Sequence, residues 1–152
     1  MSKSIWFDMD GTIADLYRVD DWLTKLRSEN PEPYTVAKPM VDTLELSAIL
    51  HVLKMQGYTI GVISWLSMNS SKEYSHAVRE AKLSWLKTHL PFIFDKIHII
   101  KYGSPKHTTP EMRHGILVDD NTEVRAKWET YGGKTIAAEK PNWIEELRAL
   151  IE

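Results

Sequence analysis

The chain has no cysteine, so disulfides, thiolate catalysis and cysteine-based zinc sites are all excluded. Any chemistry falls to carboxylates, hydroxyls, amines or histidine. Long hydrophobic runs are missing too. Apolar stretches last only a few residues, against the ~20 that a membrane-spanning helix requires, and Met1 to Trp6 lead into Asp8 without the apolar segment of a signal peptide. A cytoplasmic protein is expected, neither secreted nor inserted in a membrane. Nor is there an excess of one charge: 19 Lys and Arg against 21 Asp and Glu give a net charge of −2, so nucleic-acid binding through a broad basic face is not indicated. The six histidines show no His-x-x-x-His spacing of a helical zinc site. What is present is a globular composition, 43% apolar and 26% charged, in 152 residues that fit one domain over 1–152.

Short apolar runs alternate with helical periodicity. Ser4-Ile5-Trp6-Phe7 reads as a strand buried on both faces and ending at Asp8. Asp20 is placed to cap a short helix carrying Trp22, Leu23 and Leu26, after which Pro31, Pro33 and Pro39 predict irregular chain over 28–39. From Val41 the residues Leu44, Ala48, Val52 and Met55 recur at helical spacing, with Gly57 as the stop. Residues 58–63 read as a second strand, ending at Ser64, and 71–89 as a long helix with the stripe Tyr74, Ala77, Val78, Ala81, Trp85 and Leu86. Residues 97–100 and 115–118 are the third and fourth strands. The fourth runs into Asp119-Asp120-Asn121, which can cap a helix through Tyr131, and 135–137 is a fifth. Asn142, with Glu145 three residues on, has the form of a capping box for a last helix.

This alternation predicts an α/β fold, a doubly wound parallel sheet covered by helices on both faces, with 14–41 as a small insert. In such sheets the ligand crevice lies beyond the carboxyl ends of the strands. The polar residues that finish these strands are Asp8 and Asp10, Ser64, the Lys106 loop, and Asp119 with Asp120, so all converge on one rim.

The most informative segment is Phe7-Asp8-Met9-Asp10-Gly11-Thr12. Two carboxylates at i and i+2 leaving a strand point to one side. Crowded carboxylates take up a proton or recruit a cation, and an oxygen-only set completed by Asp119 and Asp120 suits Mg2+. That ion would screen a phosphate approaching a negative pocket, Ser64 would donate a hydrogen bond to it and Lys106 a positive charge, and Gly11 lets backbone N–H groups approach an anion. An Asp-Gly pair is also a common hairpin turn, but the residues after Gly11 read as loop and helix, not a returning strand.

In that order, Asp8-Met9-Asp10-Gly11-Thr12, Ser64, Lys106 and Asp119-Asp120 resemble the four motifs of the haloacid dehalogenase-like (HAD) phosphohydrolase superfamily, over nearly the whole chain. The resemblance implies that Asp8 attacks phosphorus to form an aspartyl-phosphate. Asp10 would protonate the leaving oxygen and later deprotonate the hydrolytic water. It also implies magnesium on the Asp8 carboxylate, the Asp10 backbone carbonyl and a carboxylate of Asp119 or Asp120, with phosphate held by Gly11, Thr12, Ser64, Trp65 and Lys106. Dehalogenase and ion-pumping members usually lack the second aspartate, so Asp10 points to phosphatase chemistry. A narrower likeness, carried by Trp85-Leu86-Lys87-Thr88-His89-Leu90-Pro91 ahead of the third strand and by the double aspartate, is to the 5'(3')-deoxyribonucleotidase family. Its members dephosphorylate nucleoside monophosphates. The insert 14–41 is shorter than the four-helix cap of those relatives. Lys106 stands thirteen positions before Asp119, which leaves Lys101 as a second candidate for the motif lysine.

The reading is a magnesium-dependent phosphatase for a small phosphomonoester, with a nucleoside monophosphate as the favoured substrate. Tyr17, Trp22, Tyr34 and Trp65 are each able to stack on a base, although such aromatics more often simply pack. A phosphatase for a nucleic-acid end or another small phosphoester, and a nucleotide-binding protein without turnover, are the alternatives. A phosphoacceptor signalling domain would share the aspartates, magnesium, hydroxyl and lysine, but its phosphorylated aspartate ends a middle strand, and no middle strand here ends in a suitable acid. An open rim leaves room for a second copy as cover, so a homodimer is a further expectation.

Overall fold

The computed structural model describes residues 3–108 and 114–152. Five strands form one parallel sheet: β1 (Lys3–Phe7), β2 (Tyr58–Trp65), β3 (Lys96–Ile100), β4 (Ile116–Asp119) and β5 (Lys134–Ala137), in the order β3-β2-β1-β4-β5. Among the described residues six α-helices accompany them: α1 (Trp22–Arg27), α2 (Glu32–Val36), α3 (Thr43–Met55), α4 (Lys72–His89), α5 (Thr122–Thr130) and α6 (Trp143–Arg148). Among the described residues no helix is long and apolar enough to cross a membrane.

The two faces of the sheet follow from the period of two along its strands. Ile5, Phe7, Ile60, Val62, Val118 and Ile136 pack with Leu46, Ile49, Leu50 and Leu53 of α3, Trp143 and Leu147 of α6, and Trp85 and Leu86 of α4. Trp6, Ile63 and Leu117 join Trp128 of α5 in a separate cluster, which puts α5 on the opposite face. Gly61 makes room for that second layer, since a Cβ there would lie 2.2 Å from the Trp6 ring. The expected doubly wound α/β fold is therefore present.

Several boundaries differ from the sequence expectation, each for a local reason. β2 runs on through Ser64 and Trp65, which pair in register with Ile99 and Ile100. The stretch expected to be irregular contains α2. Its Pro33 falls in the first turn, where a missing N–H costs nothing, and the Asn30 side chain accepts from Glu32 N–H. Asp20 does not cap α1; the Trp22 N–H donates instead to the Val19 carbonyl of the preceding 3-10 turn. Asn142 makes no capping-box bond either. The Glu145 N–H goes to its backbone carbonyl, while the Glu145 carboxylate pairs with Arg148 at 3.5 Å. Asp42, Ser71 and Asn121 do cap their helices through side-chain oxygens.

The insert is closed at its base. Asp15 N–H donates to Lys38 O at 2.8 Å and Met40 N–H to Ile13 O at 2.8 Å, so the two ends leave the core as a short antiparallel pair. Its body is fastened to α4: the Trp85 indole donates to Ala37 O (2.7 Å), the Tyr74 hydroxyl to Asn30 O (3.1 Å), and Ser71 donates through N–H and hydroxyl to the Glu29 carboxylate (2.8 Å each). Leu16 and Tyr34 from the insert pack with Tyr74, Val78, Ala81, Leu66 and Ile99.

Candidate active site

Strand order fixes where a site can form. From β1 the chain winds outward through β2 and β3, then crosses back to β4 on the other side of β1, so the direction of winding reverses between β1 and β4. Crevices open at such reversals. Phe7 pairs with Val118, which sets Asp8 beside Asp119 as the two strands end, and Asp8 N–H continues the ladder to Val118 O at 3.0 Å. Beyond Asp8 the chain turns at once: the N–H groups of Thr12, Ile13 and Ala14 all donate to the Met9 carbonyl.

Lys106 lies between the two aspartates. Its ammonium donates to Asp8 Oδ1 at 2.9 Å and to Asp119 Oδ2 at 2.8 Å, with almost no exposure. The lysine loop is anchored from the sheet, because the Trp65 indole donates to Ser104 O at 2.9 Å and the Lys106 ammonium sits 5.1 Å from the Trp65 ring. Lys106, not Lys101, thus reaches the carboxylates. Burial by itself pulls the Lys106 ammonium down, but Asp8 and Asp119 together outweigh it and hold the group above its ordinary value.

Asp8, Asp119 and Asp120 offer carboxylate oxygens that all lie within 4.8 Å of one another. Asp8 Oδ2 accepts from the Thr12 hydroxyl at 3.2 Å and Asp119 Oδ1 from Asn121 N–H at 2.9 Å. Among the described residues no cationic side chain pairs with Asp120. Burial first, then Asp8 and Asp119, push its carboxyl up to about 8. The set is hard, all oxygen, and carries more negative charge than Lys106 neutralises, which is the donor chemistry of a divalent cation such as magnesium. Gly11 is what lets Asp120 come so close: its φ is +81°, and a Cβ would stand 2.3 Å from Asp120 Oδ2. The Gly11 N–H itself donates to Ala14 O at 2.9 Å.

Asp10 also faces this region, with its carboxyl held above the ordinary range by burial against the pull of Lys82. Sequence reasoning misses Lys82, yet it is fully buried in the middle of α4 and donates to Asp10 Oδ2 at 2.9 Å, Ser64 Oγ at 2.7 Å and Trp65 O at 2.7 Å. A signal exists. Lys82 stands four residues after Val78 and three before Trp85, on the apolar face of the helix, where a lysine is costly unless paired.

These groups open on a cleft of about 550 Å³ lined by Asp8, Asp10, Asp119, Asp120 and Lys106 at its floor and by Tyr17, Trp22, Leu26, Tyr34, Trp65 and Tyr102 along its walls. Ser64 and Thr12 are buried beneath the floor. The insert overhangs the cleft through α1, so the rim is less open than the length of the insert suggests. Burial, and next the charge of Asp10, push the Tyr17 and Tyr34 phenols up, so both keep their protons.

The same architecture is found in solved proteins. The chain superposes on D,D-heptose 1,7-bisphosphate phosphatase from Burkholderia thailandensis with a TM-score of 0.56 and 12% identity, covering 97% of this chain and 85% of that one. It shares the fold of a HAD family enzyme. A HAD family enzyme from Bacteroides thetaiotaomicron, solved as an Asp-to-Ala mutant with magnesium and inorganic phosphate, gives a TM-score of 0.52 at 12% identity over 90% of this chain and 94% of that one. D,D-heptose 1,7-bisphosphate phosphatase from B. bronchiseptica, complexed with magnesium and phosphate, gives 0.53 at 12% identity over 88% and 78%. No protein-family model and no curated protein matches the chain.

Proposed function

We propose that this chain is a magnesium-dependent phosphatase of HAD type that hydrolyses a small phosphomonoester through a phosphorylated Asp8. One observation carries the reading: Asp8, Asp119, Asp120 and Lys106 meet where winding reverses, with Asp10 two residues beyond Asp8 on the same cleft. The magnesium and phosphate in the structures of fold relatives support it.

In this mechanism an Asp8 carboxylate oxygen bonds to phosphorus as the bond to the leaving oxygen breaks. Asp10, whose carboxyl burial raises above its ordinary value against the pull of Lys82, passes a proton to that oxygen. Asp10, now a carboxylate, takes a proton from water as the water oxygen bonds to phosphorus and the Asp8–phosphorus bond breaks, releasing orthophosphate. Lys106 offsets the charge of Asp8 and Asp119 throughout. The carboxylates of Asp8 and of Asp119 or Asp120, with the Asp10 backbone carbonyl, would hold magnesium, which would supply positive charge for the phosphate oxygens. The Trp65 and Lys106 edge of the cleft receives the phosphoryl group, with Gly11, Thr12 and Ser64 shaping the floor beneath it.

The favoured substrate is a nucleoside monophosphate, and the domain 1–152 uses 14–41 as a small fixed cap. Supporting this, the walls pair Tyr17 with Trp22 (ring centroids 4.9 Å apart) and Trp65 with Tyr102 (5.2 Å), aromatic surfaces suited to a planar base. The test is a panel of nucleoside 5'- and 3'-monophosphates, sugar phosphates and aryl phosphates, with and without magnesium, read as orthophosphate release. Magnesium-dependent release with the highest kcat/KM on nucleotides is expected. No release from any ester overturns the phosphatase reading, and a preference for sugar phosphates overturns the substrate.

Gly11→Ala tests the metal role. The new Cβ displaces Asp120, so the magnesium concentration for half-maximal activity should rise by about 10–100-fold, the scale seen when a metal site loses its supporting geometry. An unchanged magnesium titration would exclude Asp120 from the metal site.

A further inference from the structure

The hydrolytic mechanism uses Asp10 but leaves Lys82 without a part. Its ammonium has three N–H donors and three acceptors: Asp10 Oδ2, Ser64 Oγ and Trp65 O, all within 2.9 Å. The Tyr34 ring lies 5.1 Å from Nζ and closes the remaining side. Two of the acceptors belong to β2, a central strand of the sheet, whereas Asp10 stands in the turn after β1. Lys82 therefore ties a carboxylate on a turn to a central strand of the sheet. An apolar side chain would fill this helix position at lower desolvation cost, so packing alone does not account for a lysine there.

We propose that Lys82 is a positioning residue for Asp10. By holding Oδ2 it fixes the side-chain rotamer and leaves Oδ1 as the oxygen that exchanges a proton with the cleft. Lys82 gives up no proton itself. The proton moves from Asp10 to the leaving oxygen, and the ammonium stays paired with the carboxylate that remains. The inference rests on the reading of Asp10 as general acid, and it predicts that Lys82 matters in proportion to how much the leaving group needs a proton.

The experiment compares wild type with Lys82→Met and Lys82→Gln in single turnovers with magnesium, read as release of the leaving group so that only the first step is followed, on two esters: 2,4-dinitrophenyl phosphate, whose leaving group departs unprotonated, and the alkyl phosphate that the wild type hydrolyses fastest. For Lys82→Met the alkyl ester should slow by roughly 10²-fold, within the span attributed to general acid catalysis, and the dinitrophenyl ester by less than about threefold. Lys82→Gln keeps an N–H donor for Asp10 and should recover part of the alkyl rate; should Lys82→Met not fold, this variant reads the same ratio. Equal slowing of both esters, or of neither, overturns the proposal. So does failure of both variants to fold, which would make Lys82 a structural residue only. Failure of the underlying reading is seen separately, as a wild type that hydrolyses neither ester.

Discussion

Asp8→Asn should abolish orthophosphate release, with kcat falling by at least about 10⁴-fold toward whatever positioning alone can supply. The carboxamide keeps an oxygen for the Lys106 ammonium, which donates to Asp8 Oδ1 in the wild type. The Thr12 hydroxyl donates to Asp8 Oδ2 and need only rotate to accept from the new amide. The fold is thus retained while the proposed nucleophile is lost. Replacing one of three crowded carboxyl groups by a neutral amide relieves repulsion, so the metal-free protein should be at least as stable as wild type, which thermal unfolding in chelator checks directly. A variant that is inactive because it is unfolded would show the opposite.

Lys106→Met carries the second large effect, this time on stability. The ammonium is the described cation between Asp8 and Asp119, and both carboxylates are buried with it. Methionine fills the space of the stem but leaves the carboxylates of Asp8, Asp119 and Asp120 facing one another. Breaking a buried pair from one side costs about 3–5 kcal/mol, roughly 6–20 °C in Tm for a chain of this size. Because a divalent cation would replace part of the missing charge, magnesium should raise the Tm of the variant more than that of the wild type. Differential scanning calorimetry in chelator and in magnesium reads both. An unchanged Tm in chelator would mean that Lys106 is not neutralising the cluster.

Much of the site is legible in the sequence because the motifs sit at strand ends, and strand ends are set by hydrophobic runs. Ile5-Trp6-Phe7 and Leu117-Val118 are short apolar runs followed by acids. Once the sheet is parallel, the pairing of Phe7 with Val118 brings Asp8 and Asp119 together. Lys106 is harder, since a loop lysine carries no periodic signal; what delivers it is the Trp65 indole holding Ser104. Ser64 is buried below the cleft because β2 runs two residues further than its apolar run suggests. α2 is hidden by its prolines, which read as breakers although Pro33 lies in a first turn that tolerates it. Lys82 is hidden for the opposite reason. A single charged residue in a strong apolar stripe is easily passed over as a solvated neighbour of the stripe, and only its three acceptors reveal that it faces inward.

The insert and the floor of the cleft are joined by the same helix. α4 holds Ala37 and Asn30 of the insert through Trp85 and Tyr74, and it carries Lys82 to Asp10. The walls that would recognise the substrate and the acid that would protonate its leaving group are therefore held by one helix.

Rapid quenching of the wild-type protein with magnesium and its best phosphomonoester, followed by peptide mapping, tests the central claim most directly. A single phosphoryl group on Asp8, formed and lost at rates compatible with turnover, is the predicted result. Steady hydrolysis with no phosphorylated peptide, or with the phosphoryl group on any other side chain, would contradict it.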